Sequence, residues 1–159
     1  MRACGSAWIE AELGALPGDE DVSTNALPSQ TMTDPRQARE FVERTGIDAL
    51  AVAVGNVHGF TACPVTLDLE RLHAIAEKCP VSLVLHGASG LPPEQLRGAL
   101  SCGVAKVNVN AELRRAYLGA VERSLPKAMP TADAVAVWQE GRAAVTAAAL
   151  RIIRSLSPI

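Results

Sequence analysis

The sequence predicts an α/β fold built on a parallel sheet, assembled from four consecutive strand–helix units. Two observations carry this. Four apolar segments, Ala7–Leu13, Ala49–Val54, Val81–Leu85 and Val104–Val109, each end in a polar or glycine-rich turn, and the last three lead into helical periodicity. Strands alternating with helices read as βαβ units. The composition agrees: of 159 residues, 48% are apolar, mostly Ala, Val and Leu, and only 3% are aromatic. That mixture suits Ala-rich helices on Val-rich strands, in a chain of ordinary single-domain length.

The helices are well punctuated. Asp34 before Pro35 is an N-cap followed by proline in the first turn. Ala38, Phe41 and Val42 then give that helix an apolar face, and Gly46 ends it. Leu69, Leu72, Ile75 and Ala76 recur at helical spacing. Pro92 opens the next helix and Gly103 closes it. A further helix is expected from Glu112 to about Leu125, a break over Pro126–Pro130, and a long outer helix from Ala134 to about Leu156. The stretch Val22–Met32 is polar, without period, and reads as a loop. Residues 1–159 are expected to form one domain, with 126–159 as its C-terminal helical segment. The first strand starts so early that no earlier unit is there to pair with it. Four strands make half of a closed parallel barrel, which takes eight, and leave an open edge.

A formal net charge of −2, without a dense Lys/Arg cluster, gives no electrostatic basis for nucleic acid or an anionic membrane. No apolar run approaches the roughly 18 residues that span a bilayer, and the N-terminus has no signal-peptide stretch. The expectation is a cytoplasmic protein. Cys4, Cys63, Cys79 and Cys102 show no metal-type pairing and read as reduced, structural thiols.

Chemistry is concentrated at strand ends. His58 and His86 each close an apolar strand and precede a glycine, one βα unit apart. Neighbouring strands lie about 4.8 Å apart, so two imidazoles at equal height can converge on one metal ion. Zinc accepts imidazole and takes about three protein ligands in catalytic sites. The alternative is two satisfied histidines at strand ends. His73 falls on a helix and reads as a surface residue. Gly87-Ala88-Ser89-Gly90 would let backbone N–H groups approach an anion, or it is an ordinary tight turn. In the last strand Lys106, Asn108 and Asn110 alternate with Ala105, Val107 and Val109; in the first, Glu10 and Glu12 share a face opposite Ile9, Ala11 and Leu13. Period-two alternation places each polar set on one face. Carboxylates pointing into a barrel are costly unless paired or functional; a solvated edge is the other reading.

Taken in order, Glu10-Ala11-Glu12-Leu13-Gly14, Gly18-Asp19-Glu20-Asp21, Ala53-Val54-Gly55-Asn56-Val57-His58-Gly59, Leu85-His86-Gly87-Ala88-Ser89-Gly90 and Lys106-Val107-Asn108-Val109-Asn110-Ala111-Glu112-Leu113 closely resemble the class II fructose-/tagatose-bisphosphate aldolases across Ile9 to Leu118. The segment Thr45–Ala53 and the Leu-His-Gly-Ala-Ser-Gly form look more like the tagatose-bisphosphate branch. The resemblance implies the C-terminal half, about strands 5–8, of a TIM (βα)8 barrel. It implies reversible aldol cleavage of a ketose 1,6-bisphosphate to dihydroxyacetone phosphate and glyceraldehyde 3-phosphate. It implies Zn2+ on His58 and His86 with Glu12 as a nearby or alternative ligand, and Glu20 on a mobile loop as acid/base for the carbon-bound proton. Gly59, Gly87 and Ser89, with the backbone at Asn110 and Ala111, would hold the substrate phosphate, assisted by a monovalent cation, Na+ or K+. Asn108 would contact the dihydroxyacetone portion.

Departures from the family pattern matter as much. The family's third zinc histidine sits beside a catalytic aspartate in an Asp-His motif on an earlier strand, and these 159 residues contain no Asp-His dipeptide. Asn110 stands where one branch has Asp and the other Ala, and Leu16-Pro17 replaces small residues before the acidic loop. The expectation is an incomplete aldolase, working as a homo-oligomer or with an N-terminal half-barrel partner; the alternative is a non-catalytic half-barrel.

Overall fold

The computed structural model describes residues 7–16, 32–60 and 64–156. Four strands, β1 (Glu10–Leu13), β2 (Ala49–Val52), β3 (Ser82–Leu85) and β4 (Val104–Val107), form one sheet in the order β1-β2-β3-β4 with every neighbouring pair parallel. Helices α1 (Pro35–Thr45), α2 (Leu69–Lys78) and α3 (Pro93–Ser101) connect them. Then α4 (Ala111–Ala128), a 3-10 turn at Met129–Thr131 and α5 (Ala134–Leu156) complete the described chain.

Local chemistry explains the boundaries. The Asp34 side chain accepts from the N–H groups of Arg36 and Gln37, and Gly46 adopts φ 64° to end α1. Asp68 caps α2 through the Arg71 N–H. The core lies between sheet and helices. Leu50, Val52, Leu83 and Leu85 from the strands meet Ala38 and Val42 of α1, Leu72 and Ile75 of α2, and Leu96 and Ala99 of α3. The opposite face of β2 and β3 carries a separate small layer of Ala49, Ala51 and Val84.

That second face is the inside of a curved sheet. β1 and β4 are three strand spacings apart, about 14 Å in a flat sheet, too far for a lysine and a glutamate that both leave the sheet perpendicular to its plane. Lys106 Nζ of β4 nevertheless lies 2.7 Å from Glu10 Oε2 of β1. The sheet therefore bends toward this face. The fold is half of a TIM barrel, as expected.

Two details differ from the sequence reading. The helix does not break at Pro126: α4 runs through it to Ala128. Proline removes the donor that would reach the Glu122 carbonyl and crowds that carbonyl, and the helix nonetheless continues two residues beyond it. The break falls instead at Met129–Ala132, where Ala132 takes φ 54°. In β4 the simple alternation is interrupted. Leu83 pairs with Val104 but Val84 pairs with Lys106, which leaves Ala105 as an extra, exposed residue. Ala105 thus does not meet the helices, while Lys106 still points inward. The α4–α5 hairpin closes tightly at Gly141, where an added Cβ would lie 2.5 Å from the Tyr117 ring.

Candidate metal and anion site at the strand C-termini

All the candidate side chains that the structure describes gather at one rim. Thr33 first ties β1 to β2 there: its hydroxyl donates to Leu13 O at 2.6 Å and accepts from Ala53 N at 2.8 Å. Asn56, 1% exposed, then locks β2 to β3. Its Oδ1 accepts from Val54 N at 2.8 Å, and its Nδ2 donates to Val52 O at 3.2 Å and to His86 O at 2.9 Å. Buried amide groups must be satisfied in this way, and here the satisfaction fixes the backbone that carries His86. The next residue, Gly87, has φ 62°, and a Cβ there would fall on the Val57 carbonyl, 2.7 Å from its carbon. Only glycine allows the two histidine-bearing loops to approach this closely.

His58 and His86 come together as the spacing suggests, with ring centroids 6.2 Å apart. Glu12 joins them: one ligand atom from each of Glu12, His58 and His86 lies within 4.8 Å of the others. The reading of His58 and His86 as histidines fully satisfied at strand ends does not hold for His86. Its Nδ1 is buried and makes no hydrogen bond. It is 2.9 Å from Glu12 Oε2, but outside hydrogen-bond geometry. A nitrogen lone pair facing a carboxylate at that distance is repulsive unless a positive charge lies between them. Two imidazoles and a carboxylate converging around such an atom are the donor set of a borderline-soft divalent ion. The residues fit a metal.

Behind this cluster is a charge network that the alternation of β1 and β4 hinted at but did not connect. Glu10 Oε1 lies 2.9 Å from His86 Nε2, and Glu10 Oε2 accepts from Lys106 Nζ at 2.7 Å. Burial pushes the Glu10 carboxyl up; the hydrogen bonds and charges of Lys106 and His86 outweigh this and hold it below the ordinary carboxylate value. The solvated-edge reading of Glu10 is thereby excluded. Glu10, Lys106 and Asn56 are the contributors that the sequence reading left without a role in the site. Their cross-strand partners lie 30 to 96 residues away, and only the shared-face pattern signalled two of them.

Beside the histidines a pocket of about 380 Å³ is bounded by Gly59, Gly87, Ser89, Asn108, Asn110 and Ala111, with His58 at its edge. The α4 N-terminus points its amides at this region: Ser89 Oγ accepts from Asn110 N at 3.3 Å and Glu112 N at 3.4 Å. Backbone amides and a helix N-terminus favour an anion. Glu20, and the acidic loop Gly18–Asp21 with it, lies outside the described residues, as do Cys4 and Cys63. His73 is on α2, exposed, 3.7 Å from Glu77 and remote from the rim cluster. Burial pushes the Cys79 thiol up, as befits a structural cysteine. Among the described residues, no helix is long and apolar enough to cross a membrane.

A half (βα)8 barrel with metal-type donors and a glycine-lined pocket at the C-terminal ends of its strands defines the broad class, a barrel of the kind that places its chemistry on that rim. The family follows from comparison. The family model described as "Fructose-bisphosphate aldolase class-II" matches residues 1–158. The YdjI aldolase of Escherichia coli K12 is 37% identical with a TM-score of 0.78, over 94% of this chain and 49% of that one. A putative fructose-1,6-biphosphate aldolase from Coccidioides immitis is 33% identical with a TM-score of 0.71, over 92% and 51%. A fructose-bisphosphate aldolase from Campylobacter jejuni, 21% identical with a TM-score of 0.66 over 79% and 44%, shares the fold. The chain belongs to the class II fructose-bisphosphate aldolase family, a metal-dependent group, and spans about half the length of the solved structures it matches.

Proposed function

We propose that these residues form the C-terminal half of the active site of a zinc-dependent ketose-1,6-bisphosphate aldolase, which cleaves its substrate reversibly to dihydroxyacetone phosphate and glyceraldehyde 3-phosphate. The observation that carries this reading is the Glu12–His58–His86 cluster beside an amide-lined pocket on one rim. His58 and His86 would hold the ion, with Glu12 as an additional or alternative ligand. Bound there, zinc would act as a Lewis acid toward the substrate carbonyl oxygen.

The chain's own residues supply the rest. Gly59, Gly87 and Ser89, with the amides at Asn110 and Ala111, orient the phosphate, and a monovalent cation, Na+ or K+, offsets its charge. Asn108, on the wall of the same pocket, contacts the dihydroxyacetone portion. Glu20 takes the carbon-bound proton once its loop closes over the substrate. The third histidine ligand and the aspartate that moves the hydroxyl proton are expected from an Asp-His strand of the barrel's N-terminal half, a motif that these 159 residues do not contain.

The test is a coupled assay with fructose and tagatose 1,6-bisphosphates. These 159 residues alone are expected to bind zinc weakly and to give no cleavage. Adding the Asp-His half-barrel is expected to produce chelator-sensitive cleavage that His86→Ala abolishes. Cleavage by these residues alone, or restored cleavage indifferent to chelator, would contradict the reading. Failure of any half-barrel to restore cleavage would favour a non-catalytic scaffold.

A further inference from the structure

We propose that Glu10 is a positioning residue that selects which nitrogen of His86 faces the metal, with Lys106 fixing Glu10 in turn. This rests on the reading above that Glu12, His58 and His86 hold a divalent ion. Glu10 and Lys106 lie on the two outermost strands of the sheet, and both point to its inner face. Between them that face is lined by Ala49, Ala51 and Val84, small side chains that leave room for a carboxylate to reach across.

Both oxygens of that carboxylate are committed. Oε2 takes the ammonium of Lys106 at 2.7 Å and Oε1 faces His86 Nε2 at 2.9 Å. Two anchors prevent the carboxylate from rotating. An ionised carboxylate is an acceptor only, so Nε2 must carry the hydrogen. In a neutral imidazole the lone pair then belongs to Nδ1. Nδ1 is the buried atom without a hydrogen-bond partner, on the side of Glu12. The Glu10 contact at one nitrogen and the orphaned atom at the other are two observations with one explanation. Carboxylates behind metal-bound histidines orient the ring and raise its basicity in the same way.

Simple stabilisation explains the arrangement less well. The Lys106 side chain is 42% exposed, and pairs of that exposure contribute little to stability. A fixed carboxylate matters far more to ring orientation than to folding.

The test uses the full chain and two readouts that need no turnover. Long-range 1H–15N NMR of the metal-free protein reports the His86 tautomer. Competition with a chromophoric chelator reports zinc affinity. The wild type is expected to carry its hydrogen on Nε2. Glu10→Ala is expected to release a mixture of tautomers and to weaken zinc roughly 10- to 100-fold. Glu10→Gln, which keeps one acceptor oxygen, should recover part of both, and Lys106→Met should show a smaller loss than Glu10→Ala. The inference is overturned if wild-type His86 carries its hydrogen on Nδ1. It is equally overturned if folded Glu10→Ala keeps wild-type tautomer and affinity while His58→Ala and His86→Ala lose zinc. If His58→Ala and His86→Ala leave zinc affinity unchanged, the metal reading itself has failed and this inference falls with it.

Discussion

On the helix-facing side of the sheet, Leu50, Val52, Leu83 and Leu85 are each no more than 1% exposed and pack against α1, α2 and α3. The inner side of the same sheet carries Glu10 and Glu12 on β1, His86 just past β3 and Lys106 on β4, brought within 2.7 to 2.9 Å of one another. The two faces share a backbone and differ in what their side chains are for. The helix-facing side buries apolar area, and its energy is spread over many interchangeable contacts. The inner side holds charges that do little for folding and a great deal for geometry. Substitutions should therefore separate stability from ligand binding according to face.

The largest effect on stability is expected on the helix-facing side. Leu85→Ala should cost about 2–5 kcal/mol in denaturant unfolding, because it opens a cavity in a fully buried layer, and the variant that remains folded should bind zinc as before. Asn56→Ala comes next and crosses the boundary between the faces. It strands the Val54 N–H and two carbonyls, among them that of His86. A loss of about 1–3 kcal/mol is expected from the unsatisfied groups, together with weakened zinc binding, since the backbone that carries His86 is released. If Asn56→Ala weakened folding and left zinc untouched, the link from backbone lock to ligand placement would be broken.

The smallest effect is electrostatic and lies at the exposed N-cap of α1. The N–H groups of Gln37 and Arg36 hold the Asp34 carboxyl below its ordinary value of 3.8. A depressed folded value means that this cap stabilises α1 above the unfolded value and is lost as the pH falls through the folded one. Asp34→Ala should lower the melting temperature slightly at pH 7, and the difference from wild type should fade as the pH is taken down through the depressed folded value. A difference that persisted below it would show that Asp34 acts by something other than its charge.

The helix-facing side was legible in the sequence because periodicity is a local signal: Leu69, Leu72 and Ile75, or the cap Asp34 with Pro35, need only their neighbours to be read. The rim was half legible. His58, His86 and Glu12 could be placed by strand ends and motif order, and they do converge. Glu10 with Lys106 could not be paired, because their contact spans 96 residues and depends on the curvature of the sheet. Pro126 misled for the opposite reason. The proline penalty is read from one residue, and α4 keeps its course for two residues past Pro126 despite it. The bulge at Ala105 is a matter of register between strands, which no single strand's pattern records.

The claim that the inner rim is a metal site is tested most directly by X-ray absorption at the zinc edge on the zinc-loaded full chain. Two imidazole nitrogens at about 2.0–2.1 Å with oxygen in the remaining positions, reduced to a single imidazole in His86→Ala, is the result expected. A zinc site that contains thiolate sulfur, or one whose imidazole count is unchanged by His86→Ala, would contradict it.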